Sequence, residues 1–575
     1  MKKYWQIWID RGGTFTDIIA ISPKGQLTAT KLLSHSPNHY KDAVSFGIQA
    51  LTQGSEESLQ IKMGTTIATN ALLERKGETC ALAITKGFSD LLKIAYQDRP
   101  DLFALNIIKP KQLYSHVIEI DERILDDGTV DKKPDTNKAR KQLEDLYQTG
   151  IKSLAVVLLH SHNYPQHELL IKDLADDIGF EQVSISHEIS NLIKIVCRGD
   201  TTVVDAYLSP ILKRYIKSIS PLANKQLYFM QSHGGLVREK SFRGKDSILS
   251  GPAGGIVGAI KTCQAIGINK VISFDMGGTS TDVAHFSGHY ERTHNTILDG
   301  IRITAPMLDI HTIAAGGGSV IHYSQGRYQV GPQSAGAHPG PACYRNQGPL
   351  TITDCNVLLG RILPAHFPKT FGEDNNLAID DEDIVKQFLI LEKEINDGRN
   401  SYQVAAGFID IAAQNMANAI KKISTQKGHD VNQYTLCCFG GAAGQHACLV
   451  ADKLGINKIM AHPLSGVLSA LGIGLADVSV IEEKSVNLAL TTQSLKSINE
   501  TIKHLRSRSI SNLKNQGISD ESIIDYDIKL TLRYLGTDSG INISYEAIEM
   551  MMKNFHQKHN ESYGFNFKDK EITIS

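Results

Sequence analysis

Residues 10–17 read Asp-Arg-Gly-Gly-Thr-Phe-Thr-Asp, and residues 275–282 read Asp-Met-Gly-Gly-Thr-Ser-Thr-Asp. Six of eight positions agree: Asp10/Asp275, Gly12/Gly277, Gly13/Gly278, Thr14/Thr279, Thr16/Thr281 and Asp17/Asp282. These residue types suit one kind of chemistry. Adjacent glycines let backbone N–H groups approach oxygen anions closely, and threonine hydroxyls add donors. A carboxylate at a strand end can hold Mg²⁺ through water or orient an attacking group. Read alone, either copy is equally well explained as a tight hairpin turn. Two copies 265 residues apart favour a clamp on phosphate, one jaw from each of two domains. Asp10 and Asp275, at the ends of their strands, are the candidates for metal and water positioning. Asp17 and Asp282 lie past the turn and read as braces.

Each motif follows an apolar stretch (4–9 and 270–274) and precedes another (18–21 and 283–286). A turn comes next, at 23–25 and 287–289, so each copy reads as strand, loop, strand. That separates the pair from a P-loop, which needs G-x-x-x-x-G-K-[ST] opening a helix. It also separates them from a dinucleotide-binding turn, which a helix must follow. A third glycine-rich element lies at 434–455: an apolar strand, then Gly440-Gly441-Ala442-Ala443-Gly444, then a helical stretch that Gly455 stops. So few side chains would let a flat ring or a sugar lie against the backbone. Tight strand–helix packing explains the same residues.

The elements that must carry these motifs form a large chain. Its 575 residues exceed what one core supports, so several domains are expected. With 41% hydrophobic and 21% charged residues the chain reads as globular, not disordered. Lys and Arg number 60 and Asp and Glu 61, a net charge of −1 that argues against a nucleic-acid partner. No apolar run reaches the roughly 18 residues that span a bilayer, and the N-terminal apolar stretch is too short for a signal peptide. The chain therefore reads as cytoplasmic. The 8 cysteines show no C-x-x-C spacing and read as reduced core thiols. A capped amphipathic helix is expected within 132–150, a buried strand at 153–160, a crossover helix at 198–212 and a long helix at 402–424. Residues 311–345, dense in Gly and Pro, read as loops. A strand is expected at 525–534 and a helix at 545–561, with Met550–Met552 in the core. The domains are placed at 1–195, 196–482 and 483–575.

The order strand–hairpin, strand–hairpin, strand–Gly-Gly–helix resembles the α/β actin-like ATPase (ribonuclease H-like) fold, a two-domain fold with duplicated phosphate-binding hairpins. Here a small C-terminal α/β segment would be added. Longer segments are similar to the hydantoinase A/oxoprolinase family, nearest to the N-terminal half of its 5-oxoprolinase branch. They include IDRGGTFTD (9–17), GTTIATNALLERKG (64–77), ILSGPAGGIVGA (248–259), FDMGGTSTDVAHFSGHYER (274–292) and FGGAAGQHACLVAD (439–452). Arg11 and the QHAC at 445–448 point to that branch. His338 before Pro339 departs from the Asn or Asp usual in the family.

The resemblance implies ATP and Mg²⁺ as cofactors. It puts the phosphates on Gly12, Gly13, Thr14, Thr16, Gly277, Gly278, Thr279 and Thr281, and the nucleoside on Gly440, Gly441 and Gly444. Asp10 and Asp275 take the catalytic and Mg²⁺ roles, and Arg11 or Arg302 the substrate carboxylate. The activity implied is ATP-dependent opening of a cyclic amide, 5-oxo-L-proline to L-glutamate through a phosphorylated lactam. An N-methylhydantoinase or ketone carboxylase subunit is the alternative, and a non-catalytic nucleotide-switched interaction protein the reading from another class. The family pattern continues beyond residue 575, and residues 571–575 read as a strand without a partner in this chain. A hydantoinase B-type subunit is therefore expected as partner, with a homodimer second, and neither nucleic acid nor membrane.

Overall fold

The computed structural model describes residues 4–575 except 37, 38, 54, 56, 98, 100, 223–225, 368, 370, 373–375 and 525. Two sheets repeat one pattern. In the first, Trp5–Arg11 turns back antiparallel into Phe15–Ile21 and on into Leu27–Leu33. On its other edge Trp5–Arg11 runs parallel to Leu59–Thr65. Gln226–Met230 and Leu236–Arg238 complete six strands. In the second sheet Lys270–Met276 turns back into Thr281–Ser287 and then His311–Ile313, and runs parallel to Thr435–Phe439, with Lys458–Met460 at the far edge. The register repeats as well: Asp10 lies opposite Asp17, and Asp275 opposite Asp282. Both hairpins form because each first strand is an apolar run buried on both faces, at 7–9 and 271–274, leading to a Gly-Gly turn that no bulky side chain obstructs.

Two helices fill the space between these sheets. Ser250–Ala265 packs on Leu468–Leu475 in a core that joins Trp8 and Ile19 of the first sheet to Val271 and Phe439 of the second. The helices cross through glycine. A Cβ on Gly258 would sit 2.6 Å from the Leu468 carbonyl oxygen, and one on Gly254 would sit 3.0 Å from that of Ser469. Any larger residue there would push the sheets apart.

Between Leu59–Thr65 and Gln226–Met230 the chain leaves the first sheet and builds a four-stranded parallel sheet of its own, ordered Gln182–Ile185, Ser153–Val157, Cys80–Thr85, Tyr114–Ile120. The expected capped helix is Thr136–Gln148, where the Asp135 carboxylate accepts from the Asn137 and Lys138 amides. The expected crossover helix is longer, Ile195–Ile219. The long helix is Ser401–Ile423, with Asn400 and Gln403 forming a capping box.

Three expectations need correction. Residues 311–345 are not all loop: Ser319–Ser324 and Arg327–Ser334 form a hairpin, and His311–Ile313 joins the second sheet. The terminal strand is not unpaired. Ile572–Ile574 lies inside a four-stranded sheet, bonded to Leu488–Ala489 on one side and Lys529–Tyr534 on the other. Burial of Ile572 and Ile574 in the core of that unit makes this strand a support of it and not an exposed edge. Finally, of the three consecutive methionines only Met551 is buried, on helix Ile548–Tyr563. The strand expected from 525 begins at Lys529, and residue 525 lies outside the described residues. Among the described residues no helix is long and apolar enough to cross a membrane.

Candidate active site

The two turns share a construction. Gly12 N–H donates to Phe15 O at 2.9 Å, and Gly277 N–H donates to Ser280 O at 3.0 Å. Gly13, Thr14, Gly278 and Thr279 are exposed at the tips. Thr16 and Thr281 are buried. The Thr16 hydroxyl pairs with Ser34 Oγ at 2.9 Å, and the Thr281 hydroxyl donates to Ala315 O at 2.5 Å. The first threonine of each motif is thus presented outward, and the second, expected among the phosphate donors, secures the turn. The outer carboxylates act as braces: Asp17 is ion-paired with Lys31, and Asp282 accepts from Thr312 Oγ1 at 2.5 Å.

Asp10 and Asp275 behave differently. Asp10 Oδ1 is shut from solvent and has no hydrogen-bond partner among the described residues. Burial, reinforced by the charge of Asp17, pushes its carboxyl up to about 7. Asp275 is raised well above the carboxylate range, first by burial, then by the charges of Asp282, Asp10 and Asp17. The hairpins therefore bring four carboxylates into one electrostatic neighbourhood with Lys31 as the nearby cation. Buried carboxylates without compensating positive charge are costly. A bound divalent cation would remove that cost, and the acceptor-only oxygens suit a hard ion such as Mg²⁺.

A stability prediction follows. Asp10 holds its proton more tightly folded than unfolded, so stability falls as pH rises through the window from its ordinary value of 3.8 to about 7. The cation-free protein should melt lower at about pH 8 than at about pH 5, and added Mg²⁺ should raise the midpoint more at the higher pH. Thermal unfolding with and without Mg²⁺ checks this. An Mg²⁺ effect that is equal at both pH values would count against ion binding by this carboxylate.

The third element closes on the second hairpin. Ala442 N–H donates to Met276 O at 2.9 Å. Gly440, with φ at +87°, passes so near Asp275 that a Cβ would fall within contact distance of its Oδ1 and 2.7 Å from Met276 O. Gly441 and Gly444 face open space, as does Gly278: a Cβ on any of them meets nothing within 4 Å. Tight packing therefore accounts for Gly440 and leaves Gly441 and Gly444 free to approach a ligand.

Neither substrate arginine is brought to the turns. Arg11 points away from Asp10, as adjacent strand residues must; it lies 3.4 Å from Asp42 and 4.7 Å over the Tyr215 ring. Arg302 donates to Asp200 Oδ2 at 2.8 Å and lies 5.7 Å over Tyr96. Two neighbours of the site are further glycines: Gly251, which carried no role in the sequence, and Gly316–Gly318, which read there as a hinge or substrate loop or as a plain loop between strands. Gly251, in the first turn of helix Ser250–Ala265, approaches Asp10 so closely that a Cβ would lie 3.0 Å from Oδ1. Gly316–Gly318 back the second turn, with Gly318 N–H donating to Gly278 O at 2.6 Å and Gly317 N–H to Gly277 O at 3.1 Å. The clustering of Gly and Pro at 250–255 was the available signal for the first of these.

Comparison with known proteins gives the geometry a family. The hydantoinase/oxoprolinase N-terminal region model matches residues 6–179 and the hydantoinase/oxoprolinase model residues 198–482. An uncharacterized protein of Methanocaldococcus jannaschii is 30% identical over 100% of this chain and 87% of its own. The chain belongs to the hydantoinase/oxoprolinase family. Within that family, the 5-oxoprolinase of Dictyostelium discoideum is 40% identical over 100% of this chain and 50% of its own. The chain spans about half the length of the curated 5-oxoprolinases it matches. Among solved structures, ATP-dependent caprolactamase from Pseudomonas jessenii superposes with a TM-score of 0.87 at 26% identity, covering 99% of this chain and 87% of that one.

Proposed function

We propose that this chain is the ATP-using part of an enzyme that opens a cyclic amide, with 5-oxo-L-proline as substrate and L-glutamate as product. The observation that carries the reading is the pair of matching Gly-Gly-Thr turns whose strands end in Asp10 and Asp275, with Asp10 near enough for its charge to raise Asp275. Similarity to 5-oxoprolinases along the whole chain supports the substrate. On this reading the fold is the actin-like ATPase arrangement, with units at 1–195, 196–482 and 483–575. The cysteines, all free, suit a reducing cytoplasmic setting.

A five-membered lactam is a stable amide. Transfer of the ATP γ-phosphoryl group to its oxygen releases ADP and leaves the ring carbon open to water. The C–N bond then breaks, the nitrogen takes a proton, and a second water frees phosphate from the acyl phosphate, leaving glutamate. Such transfer asks the protein chiefly for positioning and charge neutralisation. Gly12–Thr14 and Gly277–Thr279 offer N–H groups and outward hydroxyls to the phosphates. Thr16 and Thr281 hold those turns in shape. Gly441 and Gly444 leave room for the nucleoside beside Gly440. Asp10 and Asp275 would hold Mg²⁺ through water; when bound, the ion supplies positive charge at the phosphates. Arg11 and Arg302, each already ion-paired, would reach a substrate carboxylate only by exchanging an aspartate for it, and Arg302 lines a small pocket with Pro110, Lys111 and Tyr114.

A hydantoinase B-type polypeptide is proposed as the complement, with a homodimer as the second reading. The support is the half-length match to the 5-oxoprolinases and the alpha-subunit name of the related caprolactamase chain. The test measures ADP and glutamate release by the chain alone and with that polypeptide, against 5-oxoproline, a hydantoin, and a ketone with bicarbonate. ADP release should rise with 5-oxoproline, and glutamate should form only in the mixture. A response confined to ketone and bicarbonate would make the chain a carboxylase subunit. No response to any would favour a nucleotide switch. Stoichiometric glutamate from the isolated chain would defeat the need for a complement.

A further inference from the structure

His285 lies four positions beyond Thr281 on the same strand, at the start of a polar cluster that the cleft does not use. Its Nδ1 is 2.7 Å from Glu291 Oε1, and His429 Nε2 is 3.5 Å from that same oxygen. One ligand atom from each of the three residues lies within 4.8 Å of the others. They come from separate parts of the chain: strand Thr281–Ser287, the residue preceding strand Arg292–Leu298, and the loop that follows helix Ser401–Ile423.

Two features favour an ion over a simple ion pair. The His285 and His429 rings stack 4.0 Å apart at 16°, so the partly exposed His429 must turn out of the stack to aim its lone pair at an ion shared with His285. His285 is 4% exposed, and its Nε2 has no hydrogen-bond partner among the described residues. Glu291 is also oriented from behind. Its Oε2 lies 3.1 Å from Lys427 Nζ, which Asp309 Oδ2 holds at 2.5 Å, so Oε1 is left for the histidines. Carboxylates that bind metals are commonly steadied through their second oxygen in this way.

We propose that His285, Glu291 and His429 form a site for one divalent transition-metal ion, with Zn²⁺ the occupant. Two imidazoles and one carboxylate suit Zn²⁺ and disfavour Mg²⁺ or Ca²⁺, which want oxygen ligands alone. Three protein ligands leave a fourth tetrahedral position for water. The ion would tie the outer strand of the second hairpin to the end of helix Ser401–Ile423.

Co²⁺, a spectroscopic substitute for Zn²⁺, is titrated into the metal-stripped full chain. With excess Mg²⁺ present throughout to fill the Asp10/Asp275 cleft, the expected result is one equivalent of Co²⁺ bound with the strong ligand-field absorption of four-coordinate cobalt, displaced by Zn²⁺. His285→Gln, Glu291→Gln and His429→Gln should each weaken Co²⁺ binding at least ~10-fold. Circular dichroism and thermal unfolding show which variants fold. If His285→Gln does not, the partly exposed His429 carries the test through His429→Gln. Cys448, the exposed thiol, is the rival ligand, and Cys448→Ser should keep the full signal. No four-coordinate signal, a signal surviving the folded histidine variants, or one lost in Cys448→Ser would overturn the proposal.

Discussion

Replacing Asp10 or Asp275 with asparagine should lower ATP turnover at least ~10²-fold while the protein stays folded. Asparagine keeps the shape of the side chain and removes its charge, the property the turns lack elsewhere. Thr16 and Thr281 are spent inside the fold, and Asp17 and Asp282 are tied to Lys31 and Thr312. The same substitutions should leave the cation-free protein at least as stable as the parent at about pH 8, because Asp10, raised to about 7, and Asp275, raised well above the carboxylate range, oppose folding once ionised. Loss of activity with retained or improved stability is the signature of a residue held in place for chemistry. Steady-state ADP release and thermal midpoints measure both. Turnover near the parent level in both variants would remove the two-hairpin clamp, and collapse of both variants would recast the aspartates as structural.

The second large effect distinguishes two neighbouring glycines. Gly440→Ala should destabilise the protein by about 2 kcal/mol or more, since φ near +87° is unfavourable for alanine and the new Cβ meets Asp275 and Met276. Gly441→Val should leave stability within about 0.5 kcal/mol, because a Cβ there meets nothing within 4 Å. Its branched side chain would instead fill the space the nucleoside needs. Nucleotide affinity should fall at least ~10-fold, read by calorimetric titration of a non-hydrolysable ATP analogue. If Gly441→Val melted as early as Gly440→Ala, backbone packing and not ligand approach would explain the glycine run.

These sites were legible in the sequence to different depths. The hairpins could be read because their signal is local: an apolar stretch on each side of a Gly-Gly turn, and a second copy that matches at six positions. Helices Thr136–Gln148 and Ser401–Ile423 were legible for the same reason, through the apolar face that each presents along its own length. The hairpin Ser319–Ser324/Arg327–Ser334 was hidden by surrounding Gly and Pro that mark turns without saying what lies between them. Pairing of Ile572–Ile574 depends on Leu488–Ala489, far away in sequence, so alternation revealed a strand and not its partners. Helix Ser250–Ala265 is buried nearly all round, which erases the amphipathic stripe that would announce it. The charges of Arg11 and Arg302 are visible in a sequence, whereas their ion pairs with Asp42 and Asp200 are visible only once the chain has folded.

The detour of the chain out of its first sheet sets an order of assembly. Gln60 and Gln226, bonded across that sheet, are 166 residues apart in sequence. All strands of the inserted sheet lie between them, and the core under Ala81, Leu143, Leu154 and Ile171 is drawn from that stretch alone. During synthesis the insert can therefore collapse while its host is still open, because its contacts span shorter loops. The host must wait for Gln226–Met230 to arrive beside Leu59–Thr65, with the flank of that strand bare until then. A nascent chain of this protein would thus pass through a stage in which its best-formed portion is the part that carries neither turn.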